Sequence, residues 1–231
     1  MVEITNIEEP ALKEEISSMQ YSHKKEGVPS LEEAKLILKE AEQLNPGPWV
    51  EHSLYVGKAA ELIAKRDKKL NSETALVLGM LHDIGRRYGV TNERHSLDGY
   101  KFAMENSYDL LARICMTHGY LCKNADDIGG KKDCTVEEHN FIKEYLDNIE
   151  FSAYDKLIQI CDFLALPSGF CILEKRMIDV VMRYGFNEFT LEKWKIAFEI
   201  QRYFEERIGT SIYSILPNVK ETTFGFKKSF N

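Results

Sequence analysis

Residues 75–83 read Ala-Leu-Val-Leu-Gly-Met-Leu-His-Asp, apolar nearly all round a helix and closed by a histidine and an aspartate. A helix that is apolar on every side has to be buried whole, so it needs other elements packed around it. The rest of the chain supplies helices. Ser30, with Glu33 three residues on, makes a capping-box pattern that opens a helix to about Gln43, and Asn45-Pro46-Gly47-Pro48 stops it. Further helices are expected over about 49–64, 73–84 behind a Ser72 cap, 96–106 behind a Ser96 cap, 109–117, 136–149, 154–166, 171–184 and 191–207. Residues 119–133 form a loop by composition. Strand-type alternation is nowhere sustained, and only Val219–Phe226 could pair as a short hairpin. The fold class is therefore all-α: a bundle over residues 30–209, a loosely structured arm over 1–29 and a tail over 210–231.

Composition decides whether such a bundle can close. Of 231 residues 44% are hydrophobic, enough for a core and of a length suited to one domain. The charge of −7, from 30 Lys and Arg against 37 Asp and Glu, argues against a nucleic-acid or anionic-membrane partner, whose binding surface is basic. No apolar run reaches the ~18 residues of a membrane helix. The opening MVEITNIEEP has neither a basic nor an apolar leader segment, so no secretory signal is expected. Five cysteines, an odd number without a CxxC pair, suit free thiols in a reducing cytoplasm.

The informative residues are polar ones on apolar faces. His52 shares a face with Val56, Ala59 and Ile63, and His118 falls in line with Leu111, Ile114 and Cys115. His82 and Asp83 close the apolar helix, Asp162 shares a face with Ile158, Cys161 and Ala165, and His95 stands on the side of Gly99 and Phe102. A lone buried histidine is an ordinary core residue. Two inward carboxylates are not, because an unpaired buried carboxylate costs several kcal/mol, and few basic residues lie on those faces. His52, His82, Asp83, His95, His118 and Asp162 make an N/O donor set suited to Fe, Mn or Zn, with Ni or Mg possible. Six donors exceed the needs of one metal and suit two, with Asp83 as a bridge. His23 and His139 are read as surface residues, and Cys115 and Cys161 as small core hydrophobes. Arg86 is open to two readings, a charge at a helix C-terminus or anion recognition; for Arg87 the first is preferred.

Glu51-His52-Ser53-Leu54, then Leu81-His82-Asp83-Ile84-Gly85, then Asp162 within Gln159–Phe163, resemble the HD-domain superfamily of metal-dependent phosphohydrolases. The resemblance spans about Pro48–Leu166, with 30 residues from His52 to His82 and 79 from Asp83 to Asp162. His95 and His118 match, in order, the two extra histidines of dinuclear members such as diadenosine polyphosphate hydrolases and HD-GYP phosphodiesterases. Gly119-Tyr120 is followed by Leu121 rather than proline, which argues against a cyclic-dinucleotide substrate. The resemblance implies an HD-domain helical bundle with two divalent ions, Asp83 orienting a water nucleophile, and Arg86 as catalytic and substrate-binding cation. It also implies Glu51 as an outer partner of a ligand or water. The substrate expected is a small phosphorylated molecule, cut at an ester or anhydride bond. HD-fold di-iron oxygenases, among them myo-inositol oxygenase, share the same six ligands, so oxygenation is one alternative. A non-catalytic metal- and nucleotide-binding module is another.

If the six donors act together, purified protein binds close to two metal ions by elemental analysis. His82→Ala or Asp83→Ala then loses most of that metal and His139→Ala loses none. A single ion, insensitive to His95→Ala and His118→Ala, would place the chain in the mononuclear branch.

Overall fold

A computed structural model describes residues 27–226. Among them eleven α-helices follow one another: α1 (Leu31–Leu44), α2 (Trp49–Ala64), α3 (Ser72–Leu81), α4 (Arg94–Glu105), α5 (Asp109–Thr117), α6 (Val136–Asp147), α7 (Ala153–Phe163), α8 (Leu173–Tyr184), α9 (Thr190–Ile208), α10 (Ile212–Ile215) and α11 (Val219–Phe224). Short 3-10 turns lie at Ile84–Tyr88 and Ala125–Asp127. The one sheet among the described residues pairs β1 (Ala165–Leu166) antiparallel with β2 (Gly169–Phe170). The all-α expectation holds, and among the described residues no helix is long and apolar enough to cross a membrane. His23 and most of the expected N-terminal arm lie outside the described residues.

Local chemistry sets four of the helix starts. Complete capping boxes open α1, α6 and α7, with Ser30, Thr135 and Ser152 as the caps. The expected cap of α3 moves by one residue: Asn71 Oδ1 accepts from the N–H groups of Glu73 and Thr74, both at 2.9 Å, so Ser72 is already helical. The start of α4 is a different case. Asp133, far along the chain, accepts from the N–H groups of Asn92 at 2.7 Å and Arg94 at 2.8 Å. A remote carboxylate does the work expected of Ser96, which lies buried inside the helix. The expected hairpin over Val219–Phe226 is instead helix α11, and Thr223 Oγ1 accepts from the Ile172 N–H beside β2. The hairpin forms earlier, where α7 stops at Phe163.

Helix α3 is buried along nearly its whole length, as its composition demands. Two glycine contacts set its neighbours. A Cβ on Gly79 would sit 2.6 Å from Gly57 Cα, so α2 and α3 touch backbone to backbone. That approach leaves the rings of His52 and His82 with centroids 5.6 Å apart. Beyond α3, a Cβ on Gly85 would collide with the His95 carbonyl oxygen and lie 2.5 Å from Gly99 N. The turn after His82-Asp83 therefore lies flat on α4.

A buried ion pair ties the next two elements. Asp155 of α7 is fully buried and accepts from Arg113 Nε at 2.8 Å and from Thr117 Oγ1 at 2.7 Å, both on α5. This fixes the end of α5 against α7. A second small core of Leu97, Met116, Tyr120, Ile142 and Leu146 supports α4 and α5 from the other side.

Gly85→Ala should destabilise the protein through overpacking by about 1–3 kcal/mol. At this chain length that is a fall in melting temperature of roughly 2–12 °C. Thermal melts of the two proteins decide it, and an unchanged midpoint would show that α4 can back away from the turn.

Candidate metal centre

All six candidate ligands meet at one place, delivered by five elements. His52 comes from the first turn of α2, His82 and Asp83 from the turn closing α3, and His95 from the start of α4. His118 caps α5, and Asp162 lies one residue from the end of α7. His52 Nε2 lies 2.9 Å from Asp162 Oδ1. Asp83 Oδ1 lies 3.1 Å from His95 Nε2 and 3.4 Å from His118 Nε2, while Asp83 Oδ2 lies 3.8 Å from His82 Nε2.

Backbone carbonyls orient the rings. The Nδ1–H of His82 donates to Gly79 O at 2.8 Å and that of His118 to Cys115 O at 2.9 Å. His95 Nδ1–H donates to Asn92 O. A neutral ring that spends its one proton on a carbonyl presents a bare Nε2 lone pair on the other side, the tautomer a metal requires. His95 Nε2 and His118 Nε2 then face each other at 3.2 Å. Two lone pairs at that distance repel unless a cation stands near them. His82 Nε2 and Asp83 Oδ1 are buried without a hydrogen-bond partner. Ligand atoms of His52, His82 and Asp162 lie within 4.8 Å of one another, and so do those of His82, Asp83 and His118. The donors therefore fit a divalent ion in both chemistry and spacing.

The electrostatics keep the donors ready. Burial lowers the His82 imidazole from its ordinary 6.5 to about 4. Burial and the nearby Arg86 lower His95 as well. Burial pushes the Asp83 carboxyl up, but Arg86 and the histidines outweigh it and hold it well below the ordinary carboxylate range. Asp162 is held down in the same way, against its burial, by His52 and Arg176.

The inward carboxylates are better supplied with cations than the helical faces suggested. Arg86 Nε donates to Asp83 Oδ2 at 2.6 Å, and Arg176 Nη2 donates to Asp162 Oδ1 at 3.1 Å. Arg176 comes from α8, beyond the reach of a reading limited to neighbours in sequence. Its signal was present in the spacing of Arg176, Asp179 and Arg183 along one face of α8. Arg87, by contrast, is structural: it is buried, pairs with Glu40 at 3.1 Å and stacks on Phe102 at 4.6 Å.

Two cavities open on the candidate ligands and share Asp83, Arg86 and Arg176 in their walls. Gly119, Leu121 and Ile128 of the 119–133 loop line the first; Leu166 and Pro167 of the hairpin line the second, together with Trp49. Lys193 of α9 pins the loop by donating to Gly119 O at 3.1 Å and Asp127 O at 2.8 Å. Glu51 does not join the site. It is exposed, because one residue's step from His52 turns its side chain about 100° round α2. His139 is partly buried and lies outside the ligand groups, with Nδ1 2.6 Å from Glu93 Oε1. Cys115 and Cys161 are buried free thiols.

The depressed His82 pKa has a consequence for the metal-free protein. Between pH 6.5 and about 4 the unfolded chain binds a proton at this residue that the folded chain refuses. Stability therefore falls as pH drops through that window and is recovered above it. Denaturant titrations of chelator-treated protein should show a lower midpoint at pH 5 than at pH 7, and His82→Gln should flatten the difference.

The HD domain family model matches residues 49–165, which run from the first residue of α2 to the hairpin and contain all six candidate ligands. No curated protein and no solved structure matches the chain. With just over half of its length matched, and with the His…His-Asp…Asp pattern assembled at one point, the chain belongs to the HD domain family.

Proposed function

We propose that this chain is a metal-dependent phosphohydrolase that cleaves an ester or anhydride bond of a small phosphorylated, nucleotide-like or similar molecule with water as nucleophile. The carrying observation is a guanidinium, Arg86, in the cavity wall beside two groups of N/O donors, His52, His82 and Asp162 in one and His82, Asp83 and His118 in the other, with His95 3.1 Å from Asp83. His52, His82 and Asp162 would hold one divalent ion. Asp83, His95 and His118 would hold a second, with Asp83 as the shared carboxylate. Iron or manganese suits this mixed imidazole and carboxylate set best; zinc, nickel and magnesium accept parts of it. Such ions lower the pKa of a bound water and polarise phosphoryl oxygens.

The chain's own groups do the rest. Asp83, which stands among both sets of donors, orients the attacking water for in-line displacement of the leaving group. Arg86 offers its planar fork to two phosphoryl oxygens and offsets the charge that develops there. The 119–133 loop and the β1–β2 turn shape the walls on either side. Five free thiols suit a cytoplasmic protein.

Inorganic phosphate released from a panel of nucleotides and sugar phosphates by the metal-loaded protein is the direct test. Oxygen consumption coupled to substrate loss, without phosphate, would replace this reading with a di-iron oxygenase; binding without turnover would replace it with a binding module. Arg86→Ala should keep its metal and lower kcat/KM by about 10–150-fold, as expected for a lost charge-assisted contact. Lysine should recover part, keeping the charge without the fork. Unchanged turnover with a stability loss of up to about 1 kcal/mol would make Arg86 a helix-end charge only.

A further inference from the structure

Helix α8 carries a charge ladder that the ligand set does not account for. Asp179 Oδ2 accepts from Arg176 Nη1 at 3.0 Å and from Arg183 Nη2 at 2.9 Å. Arg176 then reaches beyond its own helix. Its Nε donates to the Asp162 carbonyl oxygen at 3.3 Å and its Nη2 to Asp162 Oδ1 at 3.1 Å. A guanidinium has five N–H groups, so these three bonds leave two uncommitted. The side chain is 12% exposed, and it lines both cavities.

Arg176 and Arg86 are built alike. Each holds one inward carboxylate, Asp162 or Asp83, and each stands in the wall common to the two cavities. The two walls together carry four acidic and four basic side chains, so they balance while the carboxylates keep their arginine partners. Once Asp83 and Asp162 share their charge with a cation, the balance is gone. The two guanidiniums are then surplus positive charge in a confined space, which calls for an anion. A phosphoryl group fits, because its oxygens accept two parallel N–H donors from a planar fork.

We propose that Arg176 is a second phosphate-recognition residue, which with Arg86 grips the anionic part of the substrate where the two cavities meet. This rests on the phosphohydrolase reading and adds to it a contact from α8. The rival role is positional, with Arg176 serving only to hold Asp162 as a ligand.

The test uses the protein as purified, with its metal, and inorganic phosphate as the probe. Calorimetric titration gives the phosphate affinity of wild type, Arg176→Ala, Arg176→Lys and Arg86→Ala, and elemental analysis gives the metal content of the same samples. The expected result is retained metal in Arg176→Ala with phosphate bound about 10–150-fold more weakly, and part of that recovered by lysine. If the alanine variant sheds metal, the lysine variant decides: metal retained with weaker phosphate binding supports the proposal. Wild-type phosphate affinity in a metal-loaded Arg176 variant overturns it, and with Arg86→Ala impaired in the same titration the phosphohydrolase reading survives. Metal lost in step with phosphate in both Arg176 variants assigns the positional role and also overturns it. No phosphate binding by the wild type, with Arg86→Ala no different, would remove the phosphohydrolase reading and the proposal together.

Discussion

The structure is organised around a charge that has no access to water. Asp83 is 4% exposed, and a carboxylate so placed would be neutralised or unfold its surroundings unless cations and N–H donors reached it. Arg86 reaches it from the following turn, but the Nε2 atoms of His82, His95 and His118, which crowd its two oxygens, bring lone pairs rather than donors. The compensation is incomplete. One oxygen of Asp83 and Nε2 of His82 remain without partners, and two imidazole lone pairs are pressed together. Interiors that leave polar atoms unsatisfied in a cluster are sites of function more often than accidents. Divalent ions held by these donors would relieve these conflicts.

Bringing five elements to one site requires backbones closer than side chains ordinarily permit. Gly57 against Gly79 sets the α2–α3 contact, and Gly85 against Gly99 lays the turn on α4. Neither pair needs a positive φ; what each needs is the missing Cβ. Between α5 and α7 the tie is polar instead, through Asp155, Arg113 and Thr117. Apolar packing holds the bundle together, and these three short contacts hold the ligands in place within it.

Much of this was legible beforehand. Helical phase alone put His52, His118 and Asp162 on inward faces, since burial of an apolar stripe drags its polar members along. The HD-domain resemblance added the expectation that they converge. The argument from inward carboxylates picked out residues that the fold brings together but undercounted the cations beside them, because Arg176 lies on a helix that only folding brings alongside Asp162. The start of α4 and the site of the hairpin were misread for a related reason. Asp133 caps α4 from about forty residues away and α11 docks beside β2, and neither relation leaves a trace at the position it controls.

What the sequence by itself determined is the helical class, the identity of the donor atoms and the faces they occupy, because periodicity and side-chain chemistry are local properties. What only the tertiary structure decided is which donors share an oxygen, which arginine guards each carboxylate and which loops wall the cavities. Those depend on distances between elements remote in sequence. Such distances are set by backbone contact at glycines and by long-range ion pairs, which a linear reading cannot measure.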